Sequence, residues 1–503
     1  MTTSVSAAEI AAAPEPITPP EAQSTPPAFH FRHTLPSRFA FLILSVAIVL
    51  SALAYGTVHY WALAIFNLGA VAILVLWILD GWQLGVMRIS RNPLQLPLVG
   101  ILAVAAFQLL PLRSEDAGAG LTRPIVRSLS FDAYSTRLFI VQVAALLVYF
   151  PAILVFTDTP HRLRLLVRTI TIFGFLLALF GLTQSFTSPN KVYWVRELAQ
   201  STAFGPFINR HHFAGYMELT IGLPLGLIFA GGVEKEKRFI YLFAAGLMAV
   251  ALIMTNSRGG IISLLAEVSF LAGIGGLRRR RRSHERSNRR APGAAVRTAL
   301  ALALIIVVFA GVVLLGGEGV LSRFVGTVNT DDPTTGRAHF WSVTLDIIKA
   351  HPLVGTGLGA FGLTYTHYDS HNGLYRLEQA HNDYLQILSD AGIIGAVLGL
   401  VFVIVLFRLA FIRRESRDDF RRGVCIGALA GCFAALVHSF FDFTLHTTSN
   451  ALLFLILAAL ATLDSRVEQP TTRRRKRRRS TRSIRQPALP SVAKVEITEG
   501  TRV

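Results

Sequence analysis

The sequence predicts an all-α polytopic membrane protein of about twelve transmembrane helices. Three observations carry this expectation. Of the 503 residues 52% are hydrophobic and only 16% are charged, whereas a soluble globular chain is about 25% charged. Mean hydropathy is +0.50. Apolar runs long enough to span a bilayer, which takes roughly 20 residues, recur along the chain with short arginine-rich pieces between them. This pattern excludes a soluble enzyme on a single anchor, and it excludes a disordered chain. A disulfide scaffold is excluded too, because the only two cysteines, Cys425 and Cys432, lie inside one apolar run.

The elements follow in order. Residues 1–36 are rich in Ala, Pro and Thr with no apolar core, and read as a disordered cytoplasmic tail rather than a signal peptide. Spans are expected at 39–55, 60–79, 94–112, 138–156, 167–186, 213–231, 239–255, 259–277, 298–316, 391–412, 423–440 and 450–464. The last is short, and 259–277 follows 239–255 after a tight turn. Residues 37–190 group as N-terminal transmembrane helices and 191–464 as the principal membrane domain. Residues 465–503 form a basic, disordered cytoplasmic tail. No fixed-period repeat is visible.

Charge sets the orientation. With the N-terminus in the cytoplasm and alternating spans, 37 of the 49 Lys and Arg residues fall on the cytoplasmic side, which is the side basic residues favour. Both termini are then inside. The runs Arg278–Arg282 and Arg473–Arg479 and the net charge of +19 suggest nucleic acid in isolation. On a polytopic protein they read instead as topology signals touching anionic membrane lipids, with no nucleic acid partner.

One outer segment, 317–382, is long where other connections are short, and long loops with their own pattern are usually functional. Within it, Arg337 to Ala350 has Trp341, Leu345 and Ile348 at helical spacing, the pattern of an amphipathic helix lying on the membrane surface. His351-Pro352 ends it, and Gly355, Gly357 and Gly359 follow as a backbone suited to tight turns.

The unusual polar residues gather on the same outer side. Arg258 sits in a polar, Gly-rich turn between two spans. Arg210 and His211 belong to Asn209-Arg210-His211-His212, just before a span, and Arg337 opens the amphipathic helix one turn ahead of Trp341. His381-Asn382-Asp383 leads from the long loop into a span. Any one of these arginines could be an interfacial residue snorkelling to headgroups, and two adjacent histidines without a third ligand make weak evidence for a metal. Taken as a set, three arginines and a histidine on one aqueous face suit a multiply charged anionic lipid headgroup with a proton transfer beside it. His371-Asn372 repeats the pair His381-Asn382, but no Gly-x-x-Gly follows it at the same offset.

His381-Asn382, nine residues, then Gly392-x-x-Gly395 resembles the signature of the bacterial O-antigen ligase and polymerase family. Also similar are 351–361, Asn209 to Tyr216 and His438-Ser439-Phe440-Phe441-Asp442-Phe443, so the likeness covers roughly 200–460 in matching order. The resemblance implies a GT-C-like integral membrane glycosyltransferase. Its donor would be a glycan on undecaprenyl diphosphate. Its acceptor would be a hydroxyl of lipid A–core, of a glycan or of a protein. By the family pattern His381 takes the role of catalytic base, and Arg258 and Arg337 engage the diphosphate. Arg210 is a weaker diphosphate contact, and Asn382, Asp383, His211 and Trp341 support the site. No cofactor and no metal is expected, since arginines supply the counter-charge and no Asp-x-Asp clamp is found in the outer loops. The rival reading is a twelve-helix secondary transporter or flippase of envelope lipid or glycan, which would place its binding groups near the bilayer midplane.

Overall fold

The computed structural model describes residues 33–115, 125–188, 191–198, 202–283, 337–369 and 377–468. Among these are thirteen α-helices: α1 (Leu35–Leu53), α2 (Tyr60–Leu84), α3 (Gln95–Gln108), α4 (Ala133–Phe156), α5 (Pro160–Thr187), α6 (Arg210–Ala230), α7 (Arg238–Met254), α8 (Arg258–Ser283), α9 (Arg337–Ala350), α10 (Phe361–Tyr368), α11 (Asp383–Arg413), α12 (Asp419–His438) and α13 (Thr448–Thr462). The chain is therefore a polytopic, mostly helical membrane protein. Among the described residues eight helices are long and apolar enough to cross a membrane, while α3 and α13 are apolar but shorter. A helix stands at every expected span except 298–316, which lies outside the described residues, as does the decoy pair His371-Asn372. Two short antiparallel pairs, Arg113–Glu115 with Ile125–Arg127 and Lys191–Val192 with Arg196–Glu197, interrupt the helical pattern in connections.

Local chemistry starts the helices where they start. Thr159 caps α5 by accepting from the Arg162 N–H, with Pro160 at its first position, and Asp418 caps α12 by accepting from Phe420 and Arg421. In the bundle centre α6 packs on α12 through glycines. A Cβ added at Gly226 would lie 2.4 Å from the Gly427 Cα, and one at Gly427 2.3 Å from the Gly222 carbonyl oxygen. Such close backbone approach is how helices associate where lipid offers no hydrophobic drive between them.

The bundle has two distinct ends. At one, Arg88 bridges Asp80 at 2.7 Å and Asp158 at 2.8 Å, and Arg162 reaches the Ser37 hydroxyl at 3.0 Å, tying α1, α2 and the α4–α5 turn together. The other end gathers the N-termini of α6, α8, α9 and α11.

The α11 helix is broken near its start. Gly392 has φ +63° and ψ −163°, a conformation open only to glycine at low cost. The N–H groups freed by the break donate to the segment after α9: Ile393 to the Pro352 carbonyl at 2.8 Å and Ile394 to that of Leu353 at 3.3 Å. Gly355, Gly357 and Gly359 all have positive φ, as the turn reading expected. Thr356 and Gly357 in turn donate to the Ser389 and Asp390 carbonyls. The Gly-x-x-Gly spacing thus marks the point where the segment after α9 plugs into a helix.

The amphipathic helix exists, as α9, but its packed face differs from the expected one. Val343, Thr344 and Ile347 are buried, and Val343 and Ile347 cluster with Phe361 and Tyr365 of α10, while Leu345 is exposed. The difference arises because the helix covers α10 as well as facing outward, which no periodicity in α9 alone encodes.

Candidate active site

The centre of the site is a residue in the turn after α12. Asp442 is buried, and its Oδ1 lies 3.3 Å from the His381 Nδ1. Its Oδ2 lies 3.6 Å from the His211 Nδ1 and 3.6 Å from the Arg337 Nη2. Three predicted site residues, carried by three different segments, therefore converge on one carboxylate. Burial pushes the Asp442 carboxyl up, but the hydrogen bond and charge of His381 and the Arg337 guanidinium outweigh it and hold the group below the usual carboxylate range. An ionised Asp442 can only accept, so the His381 Nδ1 carries the hydrogen. A neutral His381 ring then keeps its lone pair on Nε2.

His381 itself has φ +52°, unusual for a side-chain-bearing residue, and this turns the chain sharply into α11. Its ring packs edge-on to Phe443 at 4.8 Å. The following residues lock that turn. Asn382 caps α11, accepting from Tyr384 and Leu385, and its own amide donates to the Phe440 carbonyl at 3.2 Å. Asp383 accepts from the Ser439 hydroxyl at 2.7 Å and pairs with His446 Nδ1 at 2.8 Å. Trp341 donates to the Ala380 carbonyl at 3.1 Å, so α9 holds the residue before His381. Asn382, Asp383 and Trp341 are scaffold, and they fix the turn that presents His381 to Asp442.

Arg210 and Arg258 open α6 and α8, and both are half-buried. The two helix starts are joined by the His211 Nδ1, 2.9 Å from the Ser257 hydroxyl, which also caps α8 by accepting from Gly260 N–H. Gly259 and Gly260 lie within the first turn of α8, and the left-handed residue of the preceding turn is Asn256. The glycines admit the close approach of protein groups: a Cβ at Gly259 would meet His438 at 2.7 Å and Phe441 at 2.8 Å. The neighbouring histidines point to different partners, since the ring of the buried His212 packs on Phe443 at 5.0 Å. Four helix N-termini, each with partial positive charge, thus surround the cluster, an arrangement that favours an anion.

Residues 243–400 match the family model described as O-antigen ligase. The chain carries an O-antigen ligase domain. No curated protein matches the chain. The match covers about a third of the chain and supports, at family level, an activity of the O-antigen ligase or polymerase type. The matched stretch contains Arg258, Arg337, Trp341 and His381–Asp383, while Arg210, His211 and Asp442 lie outside it.

Around the O-antigen ligase domain the structure adds residues that sequence reasoning missed. Asp442 has no role of its own in the sequence reading; it lies beyond the end of α12, in the connector. The string His438-Ser439-Phe440-Phe441-Asp442 was its available signal. Beneath the site, His438 Nδ1 lies 3.0 Å from Glu218 Oε2, both fully buried, and Ser263 donates to the same carboxylate. Glu218 and Glu267 are both fully buried acidic residues inside the helical bundle.

Proposed function

We propose that this protein moves a glycan from an undecaprenyl-diphosphate-linked donor to an acceptor hydroxyl of lipid A–core, a glycan or a protein. The reaction takes place on the periplasmic face of the bacterial inner membrane, with both termini cytoplasmic and about twelve spans. The observation that carries the reading is the His381–Asp442 pair beside Arg337, set where four helices begin.

The chemistry follows from the groups present. The acceptor hydroxyl attacks the anomeric carbon of the donor sugar. His381 Nε2 takes its proton as general base, while Asp442, through Nδ1, keeps the ring in the correct tautomer and orientation. The glycosidic bond to the diphosphate breaks, and Arg337 and Arg258, with a weaker contribution from Arg210, stabilise the charge that develops on the departing oxygen. Guanidinium suits this role because its planar fork binds oxygen pairs and stays charged. A single displacement inverts the anomeric configuration, and with arginines as counter-charge the reaction needs no metal.

The test is transfer by the purified full-length protein with a lipid-linked oligosaccharide and a candidate acceptor. His381→Ala should insert, fold and bind donor, yet lose roughly 100- to 10,000-fold in rate; normal transfer by His381→Ala would remove the base assignment. A second reading, transport of a lipid-linked glycan, draws on one feature: Glu218, Glu267 and His438 are fully buried inside the bundle, where ionisable groups usually serve a function. Donor movement across a vesicle membrane without glycan transfer would favour it.

A further inference from the structure

A cavity of 390 Å³ opens at the end of the bundle opposite the site. Its lining includes Arg91, Arg413, Arg466, Asp464, Leu154 and Leu409. Asp464 is committed to Arg466, whose Nε lies 2.7 Å away. Arg91 and Arg413 have no ion-pair partner among the described residues. Arg421, which does not line the cavity, is 1% exposed and donates to the Leu463 carbonyl at 2.5 Å, with Cys425 and the charge of Glu468 also acting on its guanidinium. Leu463 itself lines the cavity.

Basic residues at this end have an ordinary explanation. α4, α11 and α13 all finish here, and helix C-termini attract cations. That explanation covers arginines scattered over a surface. It does not cover a concavity whose lining residues Asn92 and Thr462 are joined by a 2.8 Å hydrogen bond and which sets apolar leucines beside two arginines that have no ion-pair partner among the described residues. Two arginines facing one concavity repel each other, and an anion bound between them would replace that repulsion with attraction. The helix that supplies Leu409 and Arg413 to the lining, α11, also exposes Ile404 and Ile412, the kind of surface that lipid tails cover.

We propose that this cavity binds the phosphate of an anionic phospholipid headgroup, with an acyl chain lying along α11. Basic pockets between membrane helices at the arginine-rich side recognise such headgroups. A free phosphate shares the anionic chemistry but could not use the leucines.

The experiment uses the full chain in detergent micelles, with binding followed by native mass spectrometry and by thermal unfolding. Phosphatidylglycerol should bind and raise the unfolding midpoint, and phosphatidylcholine should do neither. Arg91→Gln with Arg413→Gln should weaken phosphatidylglycerol binding by on the order of 5-fold per charge, and the corresponding Lys pair should retain most of it. Neutralising the Arg473–Arg479 run should leave it intact. Equal binding by wild type and the Gln pair, loss only on neutralising the tail, or equal binding by inorganic phosphate or pyrophosphate would overturn the proposal. A Gln pair that fails to fold leaves the decision to the Lys pair and to the comparison of the two lipids with the two free anions.

Discussion

Asp442→Asn is the most informative single change. The substitution keeps size and shape and removes the negative charge from a buried group lying 3.3 Å from His381 and 3.6 Å from both His211 and Arg337. An amide can still accept from His381 Nδ1, but it can also turn its NH₂ toward that nitrogen and favour the other tautomer, which places the hydrogen on Nε2. A charge-assisted hydrogen bond contributes about 1.5–3 kcal/mol, and loss of the carboxylate behind a catalytic histidine has cost about 10⁴ in rate in hydrolytic triads. The expected fall in turnover is therefore roughly 10²- to 10⁴-fold. Donor affinity should change far less, because Arg258 and Arg337 keep their charges. The assay is the initial rate of glycan transfer across donor concentrations, with the unfolding midpoint showing that the variant is folded. Turnover within about threefold of wild type, a difference under 1 kcal/mol, refutes the positioning role. A parallel loss of turnover and donor affinity refutes it as well, since Asp442 would then be shaping the anion site.

Arg337→Ala and Arg258→Ala should each lose about 30- to 1,000-fold in donor turnover, with Lys restoring only part because a point charge lacks the bidentate fork; normal donor binding and transfer by a folded Arg337→Ala protein removes that residue from the clamp. Gly392→Ala should lower the unfolding midpoint sharply, because its φ is +63° and a Cβ would sit 2.3 Å from the Leu353 carbonyl oxygen, and an unchanged midpoint contradicts the plug described for α11. His446→Gln should show a pH-dependent stability loss. Burial lowers the His446 pKa, but the hydrogen bond to Asp383 and its charge outweigh that and raise it. The protonated ring therefore stabilises the fold fully below about pH 6.5 and ceases to do so as pH rises through the elevated value. The gap in midpoint between wild type and His446→Gln should be wide near about pH 5.5 and narrow towards about pH 8.5, and a gap that widens with pH contradicts the pairing.

Much of this protein is determined locally. Span positions follow from runs of apolar side chains that must leave water, and helix starts from caps such as Thr159 and Asn382. His381-Asn382-Asp383 was legible because three polar residues at the mouth of a span have few structural reasons to be there. The arginines at 210, 258 and 337 were legible in the same way, as charges at the edges of apolar runs. Tertiary structure decided what those residues touch. His381 meets Asp442 across 61 positions, and Glu218 meets His438 across 220. The packed face of α9 is set by α10, and the break at Gly392 is filled by carbonyls from residues 352 and 353. Periodicity reports which side chains avoid water, and in lipid both protein-facing and membrane-facing surfaces are apolar, so the pattern of one helix does not encode its neighbour. The carboxylate that organises the site is therefore found only when the helices are assembled.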